Sequence, residues 1–358
     1  MPPKLSLTMS ELNPGKAKID DFIRTLPRVI PRFESHQIPR ASNIRFPPSA
    51  FGTGYISEDG QHAVKIMNLG PRIEKTSVDN IIESLKSELR NYYAITQVCA
   101  NYFCKLVGYH YDIVNTTLII VMENCGTDLF DIYSSESIPD KKTQINHIGQ
   151  IIDVIECLHQ NWFVHFDIKP ENVVLHDGRI KLIDAGSLTY VNNINNIVYV
   201  RGTNFYMAPE LQDKTTIANS VGLLSTDIYS LGILFLFMII PPGDFREQLF
   251  KKMKQHKFSD NIGDSVKDIK KLLESIFGEA IEFKHFFGEP VERLTIQQLK
   301  SMYEQTHERK RKLDQMTSGG INIRKTHKRR LYKRKLYKRR SNKRQRKSKS
   351  KSKSKSNK

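Results

Sequence analysis

Between Val164 and Asn172 the chain reads Val-His-Phe-Asp-Ile-Lys-Pro-Glu-Asn, with a carboxylate at Asp167, a cation two residues on at Lys169 and an amide five residues on at Asn172. Seventeen residues past Asp167 a second carboxylate, Asp184, stands directly before Ala185-Gly186, and Ala208-Pro209-Glu210 follows. These residue types suit phosphoryl transfer, which needs positioning and charge neutralisation more than covalent help. A placed carboxylate can take the proton of an attacking hydroxyl. A lysine can offset charge on the moving group. An amide oxygen and a second carboxylate make a hard, oxygen-ligand site for Mg²⁺. The plain alternative is a loop whose polar residues only cap helices, and four matched residues in one order count against it.

The order and gaps resemble the catalytic segment of eukaryotic-type protein kinases, in which H-R-D-x-x-x-x-N, D-F-G and A-P-E follow one another. The resemblance implies ATP and Mg²⁺ as cofactors, Asp167 as catalytic base, Lys169 as the charge-neutralising partner, and Asn172 and Asp184 as Mg²⁺ ligands. A lysine at 169 is the Ser/Thr-kinase pattern, so the implied substrates are protein Ser and Thr hydroxyls. Ala63-Val64-Lys65 resembles the lysine motif that holds the α and β phosphates, with Glu88 as its helix partner and Glu83 as the rival. Glu123 and Cys125, in Val121–Gly126, would hold adenine through their backbones, with Met122 behind it and Asp128 toward the ribose. The phosphate-covering loop is degraded. Gly52-Thr53-Gly54 leaves too few residues before Lys65 for a full hairpin. Ser49-Ala50-Phe51-Gly52-Thr53 fits better, with Pro47 and Ser49 where the first two glycines would be. Asp227 in Asp227–Gly232 would pin the catalytic loop, and Glu210 would pair with Arg293 as a buried ion pair.

Two departures stand out. Phe166 replaces the arginine that grips a phosphorylated activation loop in many kinases, so loop phosphorylation of that kind is expected to be dispensable. Ser187, Thr189, Tyr190, Tyr199 and Thr203 remain as hydroxyls, Thr203 at a position that orients substrate. Ala185 replaces a ring that packs under a helix; Phe166 is a candidate to fill part of that volume.

Elements must hold these residues in place. Gln61–Ile66 alternates after the Asp59-Gly60 turn signal, as a strand of a hairpin does. Val78–Val98 has a helical period through Ile81, Ile82, Leu85, Leu89, Tyr92, Tyr93 and Ile95. Leu118–Met122 reads as a short buried strand. Ile145–His159 presents Ile148, Ile151, Ile152, Ile155 and Leu158 on one face. Asp227–Ile240 is apolar nearly all round, which predicts a central buried helix. Val266–Phe277 and Thr295–Tyr303 predict peripheral helices. The pattern predicts an α+β, two-lobed, kinase-like fold: an N-terminal extension (1–40), a kinase domain (41–306) with a β-rich lobe (41–124) and an α-helical lobe (125–306), and a tail (307–358). The proline-spaced extension predicts an extended arm with a short helix near Asp20–Leu26.

Charge is uneven. Of 56 Lys and Arg, 24 fall between His307 and Lys358, with only 2 of the 38 Asp and Glu, so the tail carries about +22 and the remainder about −4. Such density opposes collapse and predicts disorder after the Ser318-Gly319-Gly320 joint. It suits nucleic acid through counterion release, with Tyr332 and Tyr337 placed to stack on bases. Clusters such as Lys328–Arg330 also fit nuclear import, and a purely solubilising tail is the bland alternative. A basic tail after Gly-Gly also resembles those of some large-DNA-virus proteins. Cys99, Cys104, Cys125 and Cys157 form no C-x-x-C pair and no zinc spacing, so reduced buried thiols and an intracellular, cytoplasmic or nuclear setting are expected. No secretory signal and no membrane span are expected, since the longest apolar run, Ile233–Ile240, is too short to cross a bilayer. An active Ser/Thr kinase and a pseudokinase scaffold that delivers the tail are the leading readings: the complete polar set favours the first, the degraded loop the second, and a pure nucleic-acid packaging protein would leave the catalytic set without purpose.

Overall fold

The computed structural model describes residues 30–49, 52–69, 78–112, 114–191, 202–212, 220–255 and 265–312. Two compact units divide the chain, Met1–Met302 and Tyr303–Lys358. Of the second, 303–312 are described and helical. The arm helix expected near Asp20–Leu26, the Ser318–Gly320 joint and the basic stretch beyond it lie outside the described residues.

Five strands form an antiparallel sheet: β1 (Ala41–Ser49), β2 (Gly52–Ser57), β3 (His62–Asn68), β4 (Leu106–Asp112) and β5 (Thr117–Glu123), in the order β1-β2-β3-β5-β4. β5 pairs on both sides, so its apolar run is buried at Leu118, Ile120 and Val121. The β4 edge is covered from upstream. Phe33 N–H donates to Tyr109 O (2.7 Å), Tyr109 N–H donates to Pro31 O (3.0 Å), and Ile30 joins the core. Covering an edge removes a site for unwanted strand pairing. α1 (Val78–Val98) lies where the periodicity placed it, and buries Leu89, Tyr92 and Ile95.

The following region is mostly helical: α2 (Leu129–Ser134), α3 (Lys141–Gln160), α4 (Pro209–Gln212), α5 (Ser220–Ile239), α6 (Asp244–Gln255), α7 (Ser265–Phe277), α8 (Lys284–Phe287) and a helix from 296. Asp140 caps α3 by accepting from Thr143 N–H at 2.7 Å, and the predicted isoleucine face of α3 is buried. Each such side chain contributes roughly 1.5–3 kcal/mol. α5 begins seven residues before the expected start. Its 222–239 stretch is long and apolar enough to cross a bilayer, yet 78% of it is buried inside the protein. A sheet region followed by a helical region is the two-lobed arrangement that the pattern predicts.

Small strand pairs carry the loops of interest. β6 (Thr127–Asp128), β8 (Val173–His176) and β9 (Arg179–Leu182) form one sheet; β7 (Phe163–Val164) and β10 (Thr189–Tyr190) form another. One expectation is corrected here. The cysteines are not reduced thiols: Cys99 bonds Cys157 and Cys104 bonds Cys125, leaving none free. The partners lie 58 and 21 residues apart, so only the tertiary fold brings them together.

Candidate active site

The loop after β7 is held by one side chain from α5. Asp227 is fully buried. Its carboxylate accepts from His165 N–H (2.9 Å), Phe166 N–H (3.0 Å) and His159 Nε2–H (3.0 Å). Phe166 needs this restraint, because its φ is 63°, a left-handed conformation that bulky residues resist. Gly202 lets the next segment approach: a Cβ there would lie 2.5 Å from Phe166 O. The consequence is that Asp167 and Thr203 face each other.

Asp167 is buried, and each of its carboxylate oxygens is used twice. Oδ1 accepts from Thr203 N–H (2.9 Å) and Thr203 Oγ1–H (2.8 Å). Oδ2 takes Lys169 Nζ at 2.9 Å and Asn172 Nδ2–H at 2.8 Å. Lys169 Nζ also donates to Thr203 Oγ1 at 2.8 Å. A hydroxyl oxygen therefore lies 2.8 Å from both the Asp167 carboxylate and the Lys169 ammonium. Asn172 Nδ2 gives its second hydrogen to Asp167 O (2.8 Å), which commits the nitrogen and leaves the amide oxygen to act as an acceptor.

The Asp184 segment is tied to this loop by Ile183 N–H donating to Asn172 O (3.2 Å). Asp184 Oδ1 accepts from Gly186 N–H at 2.8 Å. Burial works to raise the Asp184 carboxyl, but the Lys65 ammonium, the Gly186 amide, His165 and Lys169 together hold it below the usual carboxylate range. Lys65 is placed for this by register: in β3 it sits between Gly54 of β2 and Ile120 of β5.

Ala185 itself is fully buried. Phe166 packs with Val164, Val191 and Leu223. Contact to the Asp184–Gly186 segment comes instead from α1. Asn91 Nδ2 donates to Ala185 O (3.0 Å) and to Leu188 O, while buried Tyr92 hydrogen-bonds through its hydroxyl to Ile183 O and lies 3.1 Å from Met122 Sδ. Sequence reading missed both. The available signal was that Tyr92 lies four residues, one helical turn, beyond Glu88.

The other predicted residues fall as follows. Glu88 lies in α1, with its side chain outside the described set, as is that of Ser49 at the end of β1. Ser49 pairs with Gly52 between β1 and β2. Gly52 has φ 132°, and a Cβ would lie 2.0 Å from Ile66 O, so no other residue fits there. Glu123 N–H donates to Lys105 O (2.9 Å), and the link it begins, through Cys125, joins the sheet to the helical region. Asp128 caps α2 by accepting from Asp131 N–H at 2.8 Å. Burial, with Asp131 adding, raises its carboxyl above the usual range. The expected Glu210–Arg293 pair is present and bidentate, at 2.5 and 2.9 Å.

The family model described as "Protein kinase domain" matches residues 54–311. Among curated proteins, the chain is 34% identical over 135 residues to Serine/threonine-protein kinase KSP1 of Saccharomyces cerevisiae, covering 35% of this chain and 13% of that one. It is 33% identical over 139 residues to Serine/threonine-protein kinase 17A of Oryctolagus cuniculus, covering 35% and 34%. With Serine/threonine-protein kinase ULK3 of Mus musculus it shares 23% over 252 residues, covering 66% and 50%. The chain thus spans half or less of the length of these relatives.

Proposed function

The chain belongs to the protein kinase family, and from that premise we propose that it transfers the γ-phosphoryl group of Mg·ATP to Ser and Thr hydroxyls of protein substrates. The observation that carries this reading is the Thr203 hydroxyl between Asp167 and Lys169. A substrate hydroxyl in an equivalent place would give its proton to Asp167 while Lys169 neutralised charge on the arriving group. Asp167 is held for that task by Thr203 N–H, Asn172 and the loop that Asp227 pins.

The donor set also fits the implied cofactors. Asn172 has an amide oxygen left to offer, and Asp184 is kept ionised beside the Lys65 cation, so these two residues would hold Mg²⁺ while Lys65 faces the nucleotide phosphates. Bound Mg²⁺ would neutralise phosphate charge and orient the nucleotide. Backbone groups of Glu123 and Cys125 would receive the adenine.

The Asp167–Lys169–Thr203 network supports an enzyme over a scaffold, since a scaffold needs none of it. Ser/Thr preference is tested by phosphoamino-acid analysis of a basic substrate protein labelled by the full chain. Label on serine or threonine supports the reading; label confined to tyrosine overturns it. We also propose that the basic residues from 307 onward engage nucleic acid. Affinity should then fall steeply and linearly with log salt, and a salt-independent affinity would contradict it.

A further inference from the structure

We propose that Cys104, Cys125, His176 and Glu123 form a binding site for a zinc-class divalent cation, open when the Cys104–Cys125 disulfide is reduced. Glu123 carboxylate, Cys125 Sγ and His176 Nε2 all lie within 4.8 Å of one another, and Cys104 is bonded to Cys125. Two thiolates, an imidazole and a carboxylate are a donor set suited to tetrahedral zinc. Metal–ligand bonds of roughly 2.0–2.3 Å place such donors about 3.3–3.8 Å apart, so modest side-chain rotation closes the site.

The backbones are already set. Cys104 N–H donates to Leu182 O (3.1 Å), and Glu123 N–H donates to Lys105 O (2.9 Å), fixing the lead-in to β4 against β9 and the end of β5. The two sulfurs are buried against Val174 and Ile183. Glu123 and His176 remain 32% and 28% exposed, which gives a cation a path from solvent. Supporting groups are also present. Glu123 Oε2 takes Lys181 Nζ at 3.1 Å and Lys105 N–H at 3.2 Å, leaving Oε1 on the His176 side, at 3.4 Å from Nε2. Such outer partners fix ligand orientation, and the Lys181 charge would offset the net negative charge of a filled site. Among the described residues, the Cys99–Cys157 sulfurs make polar contacts with Val98 O and the Asn161 amide nitrogen. Among the described residues no second group of this kind occurs.

Opening the site needs a reductant. A phosphine with one water supplies two electrons and two protons to the sulfurs and becomes its oxide, giving two thiols. Cation binding then releases those two protons to solvent. Because Glu123 and Cys125 flank Asn124 in the link between the sheet and the helical region, occupancy would brace that link.

The test uses the full chain reduced with a phosphine, titrated with Co²⁺ and back-titrated with Zn²⁺, read by the thiolate-to-cobalt absorption band. One cobalt per chain is expected, displaced by zinc, with no band in the oxidised protein. His176→Ala, at a half-exposed strand end, should weaken binding beyond the roughly 10–100-fold typical of losing an outer-shell partner, and Cys104→Ser should abolish the band. The paired Cys99→Ser/Cys157→Ser variant should keep it. The proposal is overturned by absence of the band in reduced protein, by its survival undiminished in His176→Ala or Cys104→Ser, or by its loss in the Cys99/Cys157 variant. None of these readouts depends on kinase activity.

Discussion

Asp227→Asn tests whether one buried carboxylate holds the catalytic geometry. The native side chain accepts three hydrogen bonds, two of them from the backbone of His165 and Phe166. An amide has one oxygen to accept with, and its NH₂ would face a donor. Each bond to a charged acceptor is worth about 1.5–3 kcal/mol, and a stranded buried N–H costs about 1–3 kcal/mol. Against this, release of the left-handed Phe166 conformation returns about 1–3 kcal/mol. Net destabilisation should therefore be about 2–4 kcal/mol, read as a shift in the urea midpoint with unchanged slope. Activity should fall further than stability explains, because Asp167 adjoins the relaxing residue and a displacement of about 1 Å can cost about 100-fold in rate. Single-turnover phosphate transfer, measured where the variant is fully folded, separates the two effects. In a Phe166→Gly background there is no such strain to release, so Asp227→Asn should cost about 1–3 kcal/mol more there. Stability within about 0.5 kcal/mol of the parent and a rate within a few-fold would refute the reasoning.

Four further outcomes follow from the contacts. Thr203→Val should lower the transfer rate by about 10–100-fold, the rate equivalent of one bond to a charged group, and Thr203→Ser should restore most of it. Arg293→Met should destabilise by about 3–5 kcal/mol in urea unfolding by stranding Glu210, whereas the paired Arg293→Met/Glu210→Leu variant should cost less. Tyr92→Phe should cost about 1 kcal/mol, and Tyr92→Ala about 3–5 kcal/mol through the cavity left under α1. The Asp184 carboxyl is depressed from its ordinary 3.8. Its stabilising contribution is therefore present above that value and is lost as pH falls through the lower folded-state value. Lys65→Met removes the main opposing charge, so acid unfolding of that variant should begin at a higher pH than in the parent.

Where motif and element are short-range, the chain was legible from its residues. The helical period across the 21 residues of α1 and the isoleucine face of α3 needed only local spacing. Asp227 was readable as the loop's anchor because it sits in a motif. What was not legible depended on tertiary proximity. The disulfides join partners 58 and 21 residues apart, and neither spacing signals pairing. The coverage of β4 by residues 31–33 pairs backbone groups of segments more than 70 residues apart, which no local spacing signals. Phe166 was read as a missing arginine and as a filler of volume, and neither reading shows that its ring packs with Val164, Val191 and Leu223. The bond to Ile183 O comes from Tyr92, a residue that helical periodicity marks only as apolar.

The central claim is that Asp167 and Asp184 act in one phosphoryl-transfer site, and the direct measurement is transfer of labelled phosphate from Mg·ATP to a basic protein. The parent chain should transfer label, and Asp167→Asn and Asp184→Asn should each lose it while still folding with the parent's cooperativity. Undiminished transfer in either variant, or none in a parent chain that binds ATP, would contradict the account.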